Sequence, residues 1–206
     1  MLLLYLVRHG QTPWNVQGRV QGGGPLNELG RAQAAALGER LHTQRFDSIY
    51  ASPALRARQT ARAVANRLGM KVHQRALLSD LDYGNLAGAF LETVRLDNRQ
   101  LYEQWRTMPH TVHFDGGESL SHLRARIVKF IERSYRRFPD GQVLAATHDS
   151  PVRVAVSMAM GRDDAEHNAP DLRAPLASLT ILEVDQEGVR IRLRNDVGHL
   201  DDVQEK

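Results

Sequence analysis

The sequence predicts an α/β fold in which a mostly parallel central sheet carries helices on both faces. Short apolar runs of strand length alternate along the chain with amphipathic segments of helical period. Several of the apolar runs are continuous, which is typical of parallel strands buried on both faces. At 206 residues the chain is long enough for one large core. We therefore expect a single domain over residues 1–206.

The strands are predicted from apolar runs that turn signals interrupt. The last two alternate around Gln186-Glu187-Gly188, which indicates a β-hairpin. The predicted strands are Leu2–Val7, Asp47–Ala51, Lys71–Gln74 (an edge strand), Gln142–Thr147, Leu179–Val184 and Val189–Leu193.

The helices are predicted from apolar residues that recur on one face and from capping residues. Asn27 is a candidate N-cap, Ser52 is another with a proline directly after it, and Gly69 follows the end of a helix. The predicted helices are Glu28–Leu41, Pro53–Leu68, Leu91–Arg106, Ser119–Arg137 and Pro151–Met160.

Composition restricts the classes of partner. The chain has 27 Lys and Arg against 24 Asp and Glu, and these charges are interleaved, so we predict no nucleic-acid partner. It has no cysteine, which excludes disulfides and thiolate metal sites. No apolar stretch approaches the roughly 18–20 residues of a membrane helix. We predict no membrane partner, a cytoplasmic location, and a monomer or homodimer.

Polar side chains follow three of the predicted strands, at the edge where ligands bind in such sheets. Arg8 and His9 follow the first strand, Arg56 follows the second, and His148 follows Gln142–Thr147. Arginine forks match phosphate oxygens, and a neutral imidazole is a competent nucleophile at pH 7. Nearby arginines disfavour the imidazolium form. This combination predicts phosphoryl transfer to a histidine, with an acid still needed for the leaving oxygen.

Six segments carry a resemblance to a known family. In chain order they are LVRHGQTPWN, GRVQGGGPLNELGRAQA, ASPALRARQTA, LSDLDYGNLAG, DGGESL and ATHDSPVRV, and they span residues 3 to about 155. Together they resemble the signatures of the histidine phosphatase superfamily, in the branch of phosphoglycerate mutases and related phosphatases. The resemblance implies a phosphoglycerate mutase-like three-layer sandwich and catalysis without metal or cofactor.

The resemblance also implies roles for individual residues. His9 would be the phosphorylated nucleophile, in a phosphate pocket that other side chains complete. Residues on the loop after the first strand would contact the rest of the substrate. The implied pocket residues are Arg8, Asn15, Arg56 and His148, and the implied substrate contacts are Gln21 and Gly22.

At the general acid the chain departs from the family pattern. The family usually has glutamate in an LxExxxG frame, and this chain has Asp80 at that position. Leu86 and Ala87 replace the tryptophan and glutamate that commonly follow. Asp149 after the second histidine resembles the His-Asp pair of the acid-phosphatase branch, so it is a rival donor or a helix N-cap. The matching frame favours Asp80.

The predicted reaction is hydrolysis of a small phosphomonoester. A cofactor-dependent phosphoglycerate mutase is the first alternative, although the segment after the acid is short for that class. A phospho-ligand binder that has lost its acid is the second alternative. We expect substrate specificity to come from the loops at 16–24, 85–115 and 163–175.

Overall fold

One mixed β-sheet organises the protein. A computed structural model describes residues 1–21 and 23–204, and within these ranges the sheet has six strands in the order β3-β2-β4-β1-β5-β6. The first four strands in this order are parallel, whereas β5 and β6 are antiparallel. The strands are β1 Leu2–Arg8, β2 Ser48–Ala51, β3 Val72–Gln74, β4 Gln142–Thr147, β5 Leu179–Asp185 and β6 Gly188–Asp196. The predicted fold class and the terminal hairpin are confirmed.

Helices fill the connections between the strands. None of the described helices is long and apolar enough to cross a membrane. The α-helices are α1 Pro13–Val16, α2 Glu28–Arg40, α3 Leu55–Leu68, α4 Leu91–Asp97, α5 Arg99–Thr107, α6 Leu120–Arg137, α7 Asp149–Ala159 and α8 Asp201–Gln204. Single 3₁₀ turns lie at Ala76–Leu78, Gly84–Leu86, Pro109–Thr111, Asp164–Glu166, Pro170–Leu172 and Gly198–Leu200.

The sheet separates two apolar cores, because successive side chains of a strand point to opposite faces. Leu4 and Leu6 of β1 pack with α6 and α7, whereas Tyr5 and Val7 pack with α2 and α3. The stripe predicted on α6 lies in the first core, from Leu120 to Ile131. Helices therefore cover both faces of the sheet, as predicted.

Two of the predicted helices differ from the structure in their boundaries. The helix predicted over Leu91–Arg106 is divided at Asn98, where φ −121° and ψ 41° leave the helical region. α3 begins at Leu55 with Ala54 at the cap position, and the one backbone N–H that the Ser52 hydroxyl accepts from is that of Ala54, so Ser52 is not its N-cap. By contrast, Asn27 is the N-cap of α2, where it accepts from the Gly30 N–H at 2.8 Å.

The N-cap prediction for Asp149 is also wrong. α7 begins at Asp149 itself, and His148 occupies the cap position without a side-chain cap bond. The Asp149 carboxylate is used elsewhere, since Oδ1 accepts from the Ala174 N–H at 2.9 Å and Oδ2 pairs with Arg153 at 2.8 Å.

The strand order brings three strand ends together. β2, β4 and β1 are neighbours, so the residues after their carboxyl ends share one edge of the sheet. The His9 N–H donates to the Thr147 oxygen at 3.0 Å, which continues the β1–β4 pairing. After His9 the chain passes close to α2: a Cβ on Gly10 would lie 2.6 Å from the Gly30 oxygen. Glycine at position 10 is thus needed for close backbone approach.

Candidate active site

His9 lies at the centre of this edge and has a defined tautomer. The ring is 3% exposed, and Nδ1 lies 2.7 Å from the Gly10 carbonyl oxygen. Because a carbonyl only accepts, Nδ1 carries the proton. Nε2 then has a lone pair, and it accepts from Nε of Arg56 at 3.1 Å. This is the form of imidazole that can act as a nucleophile.

Arg56 connects His9 to His148. Its Nη2 lies 3.0 Å from Nδ1 of His148, and the two imidazole rings are 5.2 Å apart between centroids. Since Nδ1 accepts from the arginine, Nε2 of His148 donates to the Ser52 hydroxyl at 2.8 Å. The hydroxyl that the sequence suggested as a helix cap therefore orients the second histidine. The signal for Ser52 was its place in ASPALRARQTA beside Arg56, not its capping pattern.

Both histidines are held in the neutral form. Burial, and after it the charges of Arg56 and Arg8, lower the pKa of His9 well below its usual value. Burial and the Arg56 charge lower the pKa of His148 in the same way. Both rings are uncharged at pH 7, so the lone pair on His9 Nε2 is available.

Asp80 is the carboxyl group that faces this cluster. Its Oδ2 lies 3.8 Å from Nη2 of Arg56 and 3.8 Å from Nδ1 of His148. Burial raises the pKa of Asp80 from 3.8 to about 6, against the opposing charges of Arg56 and Arg8. A carboxyl group with a pKa near 6 is well matched to proton transfer near neutral pH.

The raised pKa has a consequence for stability. A carboxyl group with pKa about 6 when folded and 3.8 when unfolded stabilises the fold fully at low pH. This contribution is lost as pH rises from 4 through 6, by about 3 kcal/mol. We expect Asp80→Asn to increase the free energy of unfolding by about 1–3 kcal/mol at pH 8, relative to its effect at pH 4.

Urea unfolding of the unaltered protein and of Asp80→Asn, at pH 4 and at pH 8, measures this difference. Asp115→Asn, at an exposed carboxyl on a neighbouring loop, is the control and should show equal effects at both pH values. A larger relative stabilisation by Asp80→Asn at pH 4 than at pH 8 would contradict the assigned sign.

Asp149 lies close to the site in a different environment. Burial alone would raise its pKa, but the charges of Arg8 and Arg153, and hydrogen bonds from Arg153 and Ala174, lower it. Nη1 of Arg8 lies 3.9 Å from Oδ1 of Asp149 and also donates to the Ala174 carbonyl oxygen. Asp149 is thus ionised and bound to arginines at neutral pH.

Asn15 and Gln21 lie on the loop side of the site. Oδ1 of Asn15 accepts from both the N–H and the hydroxyl of Thr12 at 2.9 Å, which leaves its amide nitrogen as a donor for a ligand. Gln21 has φ 54°, and its Oε1 accepts from the Tyr83 N–H at 3.4 Å. Gly22, the other residue predicted to contact substrate, lies outside the described residues.

Seven of the predicted site residues line two adjoining cavities, and the buried His9 lines neither of them. Arg56, Asp80 and His148 line one of about 410 Å³. Arg8, Asn15 and Asp149 line another of about 320 Å³, and Gln21 lines both. The second cavity therefore adjoins the one that His148 lines.

One side of the second cavity is apolar and partly aromatic, and Arg19 and Arg173 also line the cavity. The rings of Tyr83, Trp105 and Phe114 contact one another, with centroids 4.8–5.9 Å apart. Leu91 and Leu101 continue this wall from α4 and α5. The loops predicted to set specificity, around 16–24, 85–115 and 163–175, contribute residues to this cavity.

Metal ligation is the remaining possibility for the histidines. Among residues 1–21 and 23–204, no group of three or more His, Asp or Glu side chains is placed to hold a metal ion. His113 and His122 instead pack edge to face, with ring centroids 5.7 Å apart.

Two neutral buried histidines bridged by an arginine, at the carboxyl edge of a largely parallel sheet, define a class of phosphoryl-transfer enzyme that works through histidine. Residues 4–197 match the sequence model of the histidine phosphatase superfamily (branch 1). The chain belongs to this superfamily and is a histidine phosphatase.

Individual relatives are similar over most of the chain. Phosphoserine phosphatase 1 of Hydrogenobacter thermophilus is 33% identical over 165 residues, covering 79% of this chain and 78% of that protein. Probable phosphoglycerate mutase GpmB of Citrobacter koseri is 31% identical over 215 residues, covering 98% and 96%. The solved structure of Bacillus stearothermophilus YhfR superimposes with a TM-score of 0.92 at 28% identity, covering 98% of this chain and all of that one.

Proposed function

We propose that this chain hydrolyses a small phosphomonoester through a covalent phosphohistidine on His9. The observation that carries the proposal is the tautomer of His9: Nδ1–H is fixed on the Gly10 carbonyl, and Nε2 keeps its lone pair next to Arg56. A lone pair held in one direction within an arginine-lined site favours in-line attack on phosphorus.

In the first step, the Nε2 lone pair of His9 forms a bond to phosphorus while the bond from phosphorus to the leaving oxygen breaks. Asp80 gives its proton to that oxygen, so the product leaves as a neutral alcohol. In the second step a water attacks phosphorus, its proton returns to the Asp80 carboxylate, and the N–P bond breaks. Inorganic phosphate is released and both residues regain their starting forms.

The environments of the two carboxyl groups favour Asp80 as this acid. With a pKa of about 6, Asp80 carries the proton in part of the molecules near neutral pH and lies next to the histidines. The pKa of Asp149 is lowered by its two arginine partners, so it has no proton to give. We assign Asp149 instead to holding Arg8 at the phosphate pocket.

The transferring phosphoryl group needs donors for its three equatorial oxygens. We assign this role to Arg56, and to Arg8 and Asn15 on the side of the second cavity. His148, whose one proton is bonded to Ser52, holds Arg56 through Nδ1, and the direct phosphate contact that the resemblance implies for it stays a prediction. Gln21 and, from the sequence alone, Gly22 are assigned to the rest of the substrate.

The second cavity supports an alcohol portion with apolar surface. A volume of about 320 Å³ lies within the range of small-ligand pockets, and one side of its wall is apolar and partly aromatic. An alkyl or aryl portion fits the apolar side of this wall, because buried apolar contact stabilises binding, and Arg19 and Arg173, which also line the cavity, are available to pair with a further anionic group.

Phosphoglycerate mutation is the second candidate function, favoured by the similarity to a probable phosphoglycerate mutase along nearly the whole chain. Paired assays on the purified protein distinguish the two reactions. We expect phosphate release from 4-nitrophenyl phosphate and from a panel of alkyl, sugar, nucleotide and ribazole phosphates, without interconversion of 2- and 3-phosphoglycerate. Fast interconversion of these two acids would overturn the proposal.

Several predictions from the sequence complete the proposal. We propose that residues 1–206 form one domain, in line with one sheet and one family match across most of the chain. The cytoplasmic location, the absence of a nucleic-acid partner, the absence of metal and cofactor, and the monomer-or-homodimer state stay predictions.

A further inference from the structure

The segment that carries Asp80, residues 77–82, belongs to no strand or α-helix, and we call it the acid loop. Leu78 and Leu81, which are 1% and 0% exposed, anchor it in the core on either side of Asp80. These two buried side chains fix how closely the loop packs against the core. The orientation of the peptide groups between them depends on hydrogen bonds.

Arg126 of α6 supplies most of these hydrogen bonds, whereas the Leu78 carbonyl oxygen accepts from the Thr147 hydroxyl at 2.7 Å. Nη1 of Arg126 donates to the carbonyl oxygens of Leu77 at 2.9 Å and Ser79 at 2.5 Å, and Nη2 donates to that of Asp80 at 2.6 Å. Three carbonyl groups of the acid loop therefore converge on a single guanidinium group.

Glu118, from the DGGESL segment, holds Arg126 in place. Its Oε2 accepts from Nε of Arg126 at 3.2 Å, and its Oε1 accepts from Nη2 at 2.6 Å. Oε1 also accepts from the Asp82 N–H at 3.0 Å, and the Glu118 N–H donates back to the Asp82 oxygen at 2.9 Å. All five N–H donors of Arg126 are thus used, and both side chains are only 17% exposed.

We propose that Arg126, held by Glu118, is a positioning residue that sets the place of the Asp80 carboxyl group relative to the leaving oxygen; the proposal rests on the proposed acid role of Asp80. A chain of contacts runs from Glu118 through Arg126 to the Asp80 carbonyl, with no contact to substrate required. The DGGESL segment, to which the sequence assigned no role, is explained as the support of the acid loop.

The geometry requires arginine rather than charge alone. A planar guanidinium reaches three carbonyls and a carboxylate at once, whereas a lysine has three donors on one nitrogen and cannot span them. Misplacement of a catalytic group by about 1 Å costs on the order of 10²-fold in rate. Arg126→Lys keeps the positive charge near His148 but cannot make all of these hydrogen bonds. It therefore separates the effect of the charge from the effect of positioning the acid loop.

The test compares leaving groups. We expect Arg126→Met to lower kcat/KM for glycerol 2-phosphate by about 10- to 100-fold, and to change that for 4-nitrophenyl phosphate by less than about threefold, because nitrophenolate needs little protonation. Arg126→Lys should behave like Arg126→Met. The matched control is Arg124→Met on the same helix, which removes a comparable contact to Asp164 and should leave the ratio of the two substrates unchanged.

Combining Arg126→Met with Asp80→Asn gives the decisive result. If Arg126 acts through Asp80, adding Arg126→Met to the Asp80→Asn protein lowers kcat/KM for glycerol 2-phosphate by less than about threefold further. Equal losses for both substrates, full rescue by lysine, or additive losses would overturn the inference. Should Arg126→Met unfold, Glu118→Gln tests the same ratio. Equal losses of kcat/KM for glycerol 2-phosphate and 4-nitrophenyl phosphate in Asp80→Asn alone would instead contradict the proposed function.

Discussion

His9→Ala is expected to lower turnover of 4-nitrophenyl phosphate by at least about 10⁴-fold. The reason is that the proposed step forms its bond to phosphorus at Nε2 of His9, and alanine removes this atom. Steady-state kinetics on the folded variant, checked by circular dichroism, measures the loss.

Rapid quenching during turnover tests the same prediction at the level of the intermediate. The protein should carry a phosphoryl group that is stable to base and lost in acid, and the group should map to His9. His122→Ala, at an exposed histidine, is the control and should keep both turnover and label. A label on serine or aspartate, or more than about 1% residual turnover in His9→Ala, would refute the assigned nucleophile. Phosphate binding by the unaltered protein without any turnover would favour the binder alternative.

Asp80→Asn is expected to lower kcat/KM for alkyl phosphates by about 10²–10⁴-fold, and that for 4-nitrophenyl phosphate by less than about tenfold. The quantity kcat/KM is the informative one, because it reports the steps up to alcohol release and excludes hydrolysis of the phosphohistidine. In the unaltered protein, kcat/KM for alkyl phosphates should fall as pH rises through about 6, since the acid must be protonated. Asp80→Asn should lose this pH dependence.

Asp149→Asn provides the comparison for the acid assignment. This substitution weakens the contacts to Arg8 and Arg153, so we expect similar losses for aryl and alkyl substrates. If Asp149→Asn selectively slows alkyl phosphates and Asp80→Asn does not, the proton donor is Asp149.

The sheet and the strand ends were predictable because both follow from local patterns. Continuous apolar runs placed β1 and β4, and polar residues directly after them marked the edge. The order of strands in the sheet, which makes β1, β2 and β4 neighbours, is a long-range property that no local pattern contains. The convergence of His9, Arg56 and His148 was expected only from the rule for parallel sheets and the family resemblance.

Side-chain partners were the least predictable part. Ser52 and Asp149 both have the residue types of N-caps, yet each makes a stronger tertiary contact, to His148 and to the Ala174 N–H respectively. A capping hydrogen bond contributes about 1 kcal/mol, which a charge-assisted or buried contact readily exceeds. Arg126 gave no signal at all in the sequence, because its five acceptors come from residues 8 to 49 positions away.

The backbone segments that carry His9 and Asp80 differ in the structural change that local unfolding of each requires. The His9 amide is bonded to Thr147 between two central strands, so its exchange with solvent requires separation of β1 from β4. The acid loop has no such partner strand: it is held by side-chain bonds from Arg126 and Thr147 and by its two buried leucines, so it can open locally while the sheet stays intact. Partial denaturation should therefore remove proton donation first, leaving a protein that still accepts a phosphoryl group from aryl esters and no longer cleaves alkyl esters.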